Sequence, residues 1–476
     1  MSDTAKNNTQ HMIKLAGGIG GILVGAAIAM TSPPEGLTAA SMLGLGIFVW
    51  AIVWMMCNVI QDYAMGILLM AAWVLSGVVP FNVTFSPFAG QTFWLVIGGI
   101  GLGFAATHTG IMKRLALFLM TKFPVSFKGQ TLALLVSGTF ITPLVPSNIS
   151  KVAMMAPLSK SISDNMGYKP KSEEAGGIFA AMFVGTSIIY PMFLSSGFMC
   201  YVLKGLLPEP YKSDMNWTFW LINAAPWGLT VLFLSYFAIQ FLYKHSPMPA
   251  GASSAIAHEQ LKALGPMNRK EMITGAVIGV SFLLWMTEPL HGISATLVSL
   301  PALALLLGVN IVDRKAFKAG MPWDAILFVG FTFTIGPVFK ALNIEKWVAG
   351  VCGPYIEPLM SGNIFLFLLV LAAFISAVRV FLVGQTAVLT IFTVFLTPFA
   401  LNVGINPWVC GFAIFTSMNV FYVMYQSSQY ITAFYATGGD MVTHRQVLKL
   451  CCAYMVVNLI GLFVSVPVWM MTGLIK

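Results

Sequence analysis

Long apolar stretches follow one another from residue 15 almost to the end of the chain, separated by short polar intervals. A helix needs roughly 20 apolar residues to cross a bilayer, at about 1.5 Å of rise per residue. Stretches near that size fall at 15–31, 37–57, 63–80, 92–111, 174–203, 217–243, 271–287, 292–309, 322–340, 407–437 and 446–473. The pattern predicts an all-α polytopic membrane protein with about eleven transmembrane helices.

Two further apolar segments, 128–164 and 361–402, fit that count poorly. Each is long enough for two helices but is interrupted in its middle, by "PLVPSNISK" at 143–151 and by "VRVFLVGQTA" at 378–387. They read as re-entrant hairpins, which enter the membrane, turn inside it and leave on the same side. Non-helical backbone at that depth is tolerated only against protein or a water-filled cavity. The alternative is a pair of ordinary spans joined by a tight turn outside the membrane.

Composition agrees with a lipid solvent. Hydrophobic residues make up 58% of the 476 and charged residues 9%, where a soluble domain carries about 25% charged. The net charge of +9 reads as loop topology, with no implication of a nucleic-acid partner. Lys113, Arg114, Lys122, Lys128, Lys160, Lys169, Lys171, Lys244, Lys262, Arg269, Lys270, Arg314, Lys315, Lys318, Arg445 and Lys449 fall in one set of loops. The positive-inside rule makes that set cytoplasmic. The N-terminus is then inside and the C-terminus outside a cytoplasmic (inner) membrane. The 128–164 hairpin enters from the inside and the 361–402 hairpin from the outside. The mixed-charge stretch 340–358 is assigned to the outer surface. The apolar segment 15–31 could pass for a signal peptide, but it is expected to remain as the first span. Cys57, Cys200, Cys352, Cys410, Cys451 and Cys452 lie in apolar stretches without metal-binding spacing and read as packing residues.

The chain also resembles itself. "MFLSSGF" at 192–198 returns as "MYQSSQY" at 424–430, and "THTGIMKRLA" at 107–116 has a weaker echo in "KALNIEKWVA" at 340–349. The interruptions at Ser147-Asn148 and Gly384-Gln385 keep nearly the same offset. These matches predict an inverted repeat. Residues 1–36 form a tail and first span, 37–243 the first repeat, 244–270 a cytoplasmic linker, and 271–476 the second repeat.

Inverted repeats with interrupted helices are the layout of secondary transporters, which bind substrate and coupling ions at the repeat interface near the midplane. An anion needs N–H donors at helix N-termini, hydroxyls and a cation. A sodium ion needs carbonyl, hydroxyl or amide oxygens. The clusters with both kinds of group are the two tips and the two Ser-Ser positions. The expected binding set is therefore Ser147, Asn148, Ile149, Lys151, Ser195, Ser196, Gly197, Gly384, Gln385, Thr386, Ser427 and Ser428. A sodium ion would take Ser147, Asn148 and Ser195, with Gln385 and Ser427 as weaker ligands. Lys151 is either a functional cation within the membrane or a side chain snorkelling from a shallow tip. Arg379 either faces the anion or pairs with a backbone carbonyl or Asp324. Asp324 reads as a helix-start carboxylate, and His108 as an interfacial histidine in preference to a proton relay.

At these residues the chain resembles the divalent anion:sodium symporter family, and within it the bacterial and plastid di- and tricarboxylate translocators. Members carry Ser-Asn-Thr at each hairpin tip, often within Pro-Ser-Asn-Thr-Ala-Arg at the first and a looser Ser-Gly-Thr-Ala at the second. Here the tips read Pro146-Ser147-Asn148-Ile149-Ser150-Lys151 and Gly384-Gln385-Thr386-Ala387. Trp94 and Trp323 before the hairpins and "FYATGG" at 434–439 are similar to the family's as well. The resemblance runs from about residue 40 to the end. It implies scaffold and transport domains, a homodimer, and elevator-type transport of small organic anions such as succinate, malate, 2-oxoglutarate, citrate or a sulfonate. The chain departs from the family at Ile149, at Gln385 and at both Ser-Ser pairs. Those departures lead us to expect weak or absent sodium coupling, with anion exchange instead. A membrane-embedded enzyme would need ionisable groups clustered at depth, and six scattered histidines do not supply them. An anion channel is the other competing class.

Overall fold

The computed structural model describes residues 3–57, 59–244, 256–381 and 384–476, and among these every regular element is a helix. Apolar runs make the helices, and short polar side chains mark their starts. Thr38, Ser126, Ser147, Ser172, Asn216, Asn268 and Thr443 each accept a hydrogen bond from a first-turn N–H. This contact satisfies one of the donors that a helix leaves unpaired at its start.

The first half of the chain holds α1 (Asp3–Met30), α2 (Ala39–Met56), α3 (Asp62–Leu75), α4 (Gln91–Thr109) and α5 (Ile111–Met120). It continues with α6 (Phe127–Ile141), α7 (Asn148–Asn165), α8 (Glu173–Phe183), α9 (Phe198–Leu206) and α10 (Trp217–Leu242). The second half holds α11 (Arg269–Met286), α12 (Ala295–Gly308), α13 (Trp323–Ala341), α14 (Ile344–Gly362) and α15 (Ile364–Phe381). It ends with α16 (Gln385–Asn402), α17 (Pro407–Ser417), α18 (Ser428–Ala436) and α19 (His444–Met471).

Seven helical segments among the described residues are long and apolar enough to cross a membrane alone, and shorter apolar helices accompany them. Their outer faces are apolar. α10 exposes Leu229, Phe233 and Phe237, α15 exposes Phe365, Leu369 and Phe374, and α19 exposes Val456, Ile460 and Val464. Apolar surface this extensive requires lipid as its neighbour.

The element order from α2 to α10 repeats from α11 to α19, and the packing repeats with it. α4 packs on α12, and its counterpart α13 packs on α3. α7 packs on α8 and α18, while its counterpart α16 packs on α17 and α9. α10 and α19, which are each other's counterparts, pack together. The two halves are therefore intertwined. The weak echo of 107–116 in 340–349 has a structural cause. Gly110 at φ +85° turns the chain from α4 into α5, and Asn343 at φ +56° turns it from α13 into α14. Both are among the residue types that adopt the left-handed region at low cost.

Two features differ from the sequence expectation. Stretch 340–358, assigned to an outer surface segment, is mostly helix α14, even with Pro354 and Pro358 inside it. The apolar stretches 174–203 and 407–437 each carry the break expected at their Ser-Ser pair, where the α-helix gives way at 193–197 and 418–427. In the first of these, α8 also widens into a π-turn at Val184–Ile188 before the break.

Candidate substrate and ion site at the helix breaks

The first hairpin breaks where two prolines remove backbone donors. Pro143 lies in a short 3-10 turn, and Val145, preceding Pro146, is extended at φ −127° and ψ 98°. Ser147 then caps α7, accepting from Ser150 N at 3.3 Å and from Ser150 Oγ at 2.9 Å. The first N–H groups of α7, with the positive end of its dipole, sit at this tip. Asn148 is the first residue of α7. Its Oδ1 is buried with no hydrogen-bond partner among the described residues. A Cβ built on Gly197 would lie 3.8 Å from that oxygen, so Asn148 faces the break between α8 and α9.

The tip and that break are tied directly. Ser195 Oγ donates to Pro143 O at 2.6 Å and accepts from Trp217 Nε1 at 3.0 Å. Ser196 Oγ points at the carbonyls of Tyr190 and Phe193. The Ser196 carbonyl accepts from Lys151 Nζ at 2.9 Å. Lys151 has no exposed surface, and its ammonium stands 5.8 Å from the centre of the Tyr190 ring. It therefore does not snorkel to the surface. The tip is also seated against α4, because a Cβ on Gly103 would fall 1.8 Å from Pro146 Cδ.

The second half uses the same parts differently. α15 runs to Phe381 and α16 begins at Gln385, with Gly384 extended between them. Gly384 is exposed, while Gln385 and Thr386 are half-buried. Thr386 Oγ1 lies 3.5 Å from Met199 Sδ in the first turn of α9, so this tip also approaches the first break. In the break between α17 and α18, Gln426 accepts from Tyr422 N at 2.6 Å and donates to Arg379 O at 2.7 Å. The Arg379 guanidinium is fully buried. It donates to Gln426 O at 2.9 Å and Val420 O at 3.4 Å, so backbone carbonyls hold it.

The expected binding residues thus divide. Ser147, Asn148, Lys151, Ser195, Ser196 and Gly197 form one cluster. Ile149 beside them is 50% exposed. Thr386 meets Met199, two residues past Gly197, while Gly384 and Gln385 lie at the start of α16. Ser427 caps α18, accepting from Tyr430 N at 3.1 Å, and Ser428 is exposed. His108 is exposed and stacks on Phe104 at 5.4 Å, and Asp324 lies exposed in the first turn of α13. Sequence reasoning missed Gln426, Trp217, Tyr190 and Gly103. Gln426 directly precedes the second Ser-Ser pair, and that position was its only signal.

Helices broken in both halves, with the buried side chains of Lys151 and Arg379 bonded to carbonyls of the breaks, match the layout of membrane transporters. The chain belongs to the family described as "Sodium:sulfate symporter transmembrane region", matching it over residues 14–475. It is an anion transporter of that family and not an enzyme. Among its relatives is a putative malate transporter, YflS, of Bacillus subtilis (strain 168). That protein is 26% identical over 344 residues, covering 71% of this chain and 72% of the relative. The citrate/succinate antiporter of Escherichia coli (strain K12) is 24% identical, covering 61% and 60%. Dicarboxylate transporter 2, chloroplastic, of Spinacia oleracea is 22% identical, covering 69% and 60%. Among solved structures, the Neisseria gonorrhoeae MtrF antimetabolite efflux pump has a TM-score of 0.57 at 14% identity. The similarity covers 94% of this chain and 97% of that one, and it establishes a shared fold.

Proposed function

We propose that this protein exchanges one small dicarboxylate or tricarboxylate for another across the cytoplasmic membrane, by an elevator-type cycle that needs little or no sodium. The substrates in view are succinate, malate, 2-oxoglutarate and citrate, in keeping with the names of the relatives above. On this reading the first repeat spans 37–243 and the second 271–476. The hairpins, with α8, α9, α17 and α18, form a transport domain that moves against a scaffold built from the other long helices.

The observation that carries the proposal is the buried Lys151 ammonium on the Ser196 carbonyl. A sodium ion at this tip would need that carbonyl together with hydroxyl and amide oxygens. Lys151 already takes the carbonyl, and Ser195 Oγ is engaged with Pro143 and Trp217. Ser147 Oγ accepts from Ser150, which leaves Asn148 Oδ1 as the oxygen of that expected set without a partner among the described residues. A second cation a few ångströms from an ammonium would also be repelled strongly in a medium of low dielectric constant. A fixed positive charge instead offsets part of the anion's charge, which is the task a coupling ion would otherwise perform.

The α7 N-terminus supplies N–H donors to a carboxylate, and the Lys151 charge lies one turn further along the same helix. An anion bound there would bring compensated charge through the membrane in either direction. An empty carrier would carry the bare cation, so loaded forms should cross more readily than empty ones. Exchange follows from that asymmetry. Uptake into proteoliposomes, with and without a sodium gradient and with and without an internal counter-anion, tests the proposal. Current that does not saturate with substrate would favour a channel instead.

A further inference from the structure

The polar stretch joining the two halves is tied into the fold at two places within its described part, residues 256–271. Its helix, Ile256–Ala263, ends at Gly265, which adopts φ +64°. The chain then enters the Asn268–Glu271 capping box that starts α11. Arg114 of α5 gathers this region. Its guanidinium donates to Gly265 O at 2.7 Å and Leu264 O at 3.3 Å, and it pairs with Glu271 at 3.2 Å. The two side chains of the ion pair are 13% and 6% exposed. A pair this dry, with its remaining donors satisfied, is costly to open. The linker is therefore fixed firmly to α5 and α11.

Its other attachment is lighter and goes to a different part of the molecule. Gln260 Nε2 donates to Ser161 Oγ of α7 at 2.8 Å. An open cleft of about 710 Å³, lined by Ile111, Leu115, Phe118, Leu261 and Met267, runs beside the contact between the linker helix and α5. Leu261 and Leu264 pack this helix from the α5 side, so its hold on α7 is the weaker of the two. A buried ion pair holds it on the α5 side, and a side-chain hydrogen bond from Gln260 reaches α7.

We propose that residues 256–271 act as a strap that holds the hairpin helix α7 against α5 in one state of the transport cycle and releases it in the other. This proposal rests on the reading that α7 belongs to the moving part. The Gln260–Ser161 bond would cross the sliding boundary, while the Arg114 anchor stays on the stationary side. One hydrogen bond of ordinary net strength shifts an equilibrium by about two- to tenfold. That is enough to bias a resting state without stopping the cycle.

The test places cysteines at Gln260 and Ser161 in a protein whose six native cysteines are replaced by alanine, and joins them with a short bifunctional thiol reagent. The cross-link should form and stop dicarboxylate exchange, while each single-cysteine protein treated alike should continue to transport. Exchange at an unchanged rate through the cross-linked protein would overturn the strap, as would failure of the cross-link to form. Gln260→Ala should raise the exchange rate by about two- to tenfold, and an unchanged or lower rate would count against it. The untreated double-cysteine protein reports separately on transport itself. If it exchanges no anion, the transport reading fails, not the strap.

Discussion

Lys151 Nζ lies 2.9 Å from the carbonyl oxygen of Ser196, and both residues are fully buried. The contact joins the second helix of the first hairpin to the break between α8 and α9. A charge-assisted hydrogen bond is worth about 1.5–3 kcal/mol. If the same ammonium also faces the substrate, Lys151→Gln should raise the half-saturation concentration of a divalent anion by about ten- to a hundredfold. A monovalent analogue should suffer much less. Equal loss for both, measured by uptake, would assign Lys151 to structure alone.

Asn148 offers a cleaner separation of function from stability. Its Oδ1 is buried without a partner among the described residues, so it adds no hydrogen bond there to the fold. Removing a buried unsatisfied acceptor is neutral or mildly stabilising. Asn148→Ala should therefore leave thermal unfolding in detergent within a few degrees of the wild type and cut transport at least about tenfold. A large drop in stability with the residual transport rate intact would reverse the assignment.

Arg379 should behave in the opposite way. Its planar guanidinium reaches Gln426 O and Val420 O together, and a lysine cannot span two divergent carbonyls in that geometry. Arg379→Lys keeps the charge but should lower thermal stability by about 2 kcal/mol or more. Unchanged stability in that variant would show that the charge alone holds the second break.

Two glycines give predictions of opposite sign. A Cβ at Gly103 would strike Pro146 Cδ at 1.8 Å, whereas a Cβ at Gly279 of α11 meets nothing within 4 Å. Gly103→Ala forces the first tip off its seat on α4 and should cost about 1–3 kcal/mol, with slower transport. Gly279→Ala should stabilise by about 0.5–1 kcal/mol, because alanine is the better helix former. Parallel melting curves of the two variants check both signs at once.

The helices and the interruptions at 143–147 and 384 were legible in the sequence because they depend on local signals. Apolar runs mark the spans. Pro143, Pro146 and Gly384 mark the tips. Helix α14 was hidden because Glu345, Lys346, Glu357 and two prolines resemble a surface loop, while its helix is held by packing against α13, α15 and α16. The site was legible by residue type but not by partner. Lys151 meets Ser196 across 45 positions, and Arg379 meets Gln426 across 47. No local pattern encodes such a pairing. Ser195 and Ser427 illustrate the limit, since two similar Ser-Ser motifs serve as a tip anchor in one half and a helix cap in the other.

The central claim is that a fixed cation at the first break replaces a coupling sodium ion. The direct measurement is uptake of labelled succinate into proteoliposomes, in sodium or in choline medium, with the vesicles empty or loaded with malate. The account predicts rapid uptake into loaded vesicles at the same rate in both media, and little uptake into empty ones. Steep, cooperative sodium-driven uptake into vesicles holding no counter-anion would contradict it.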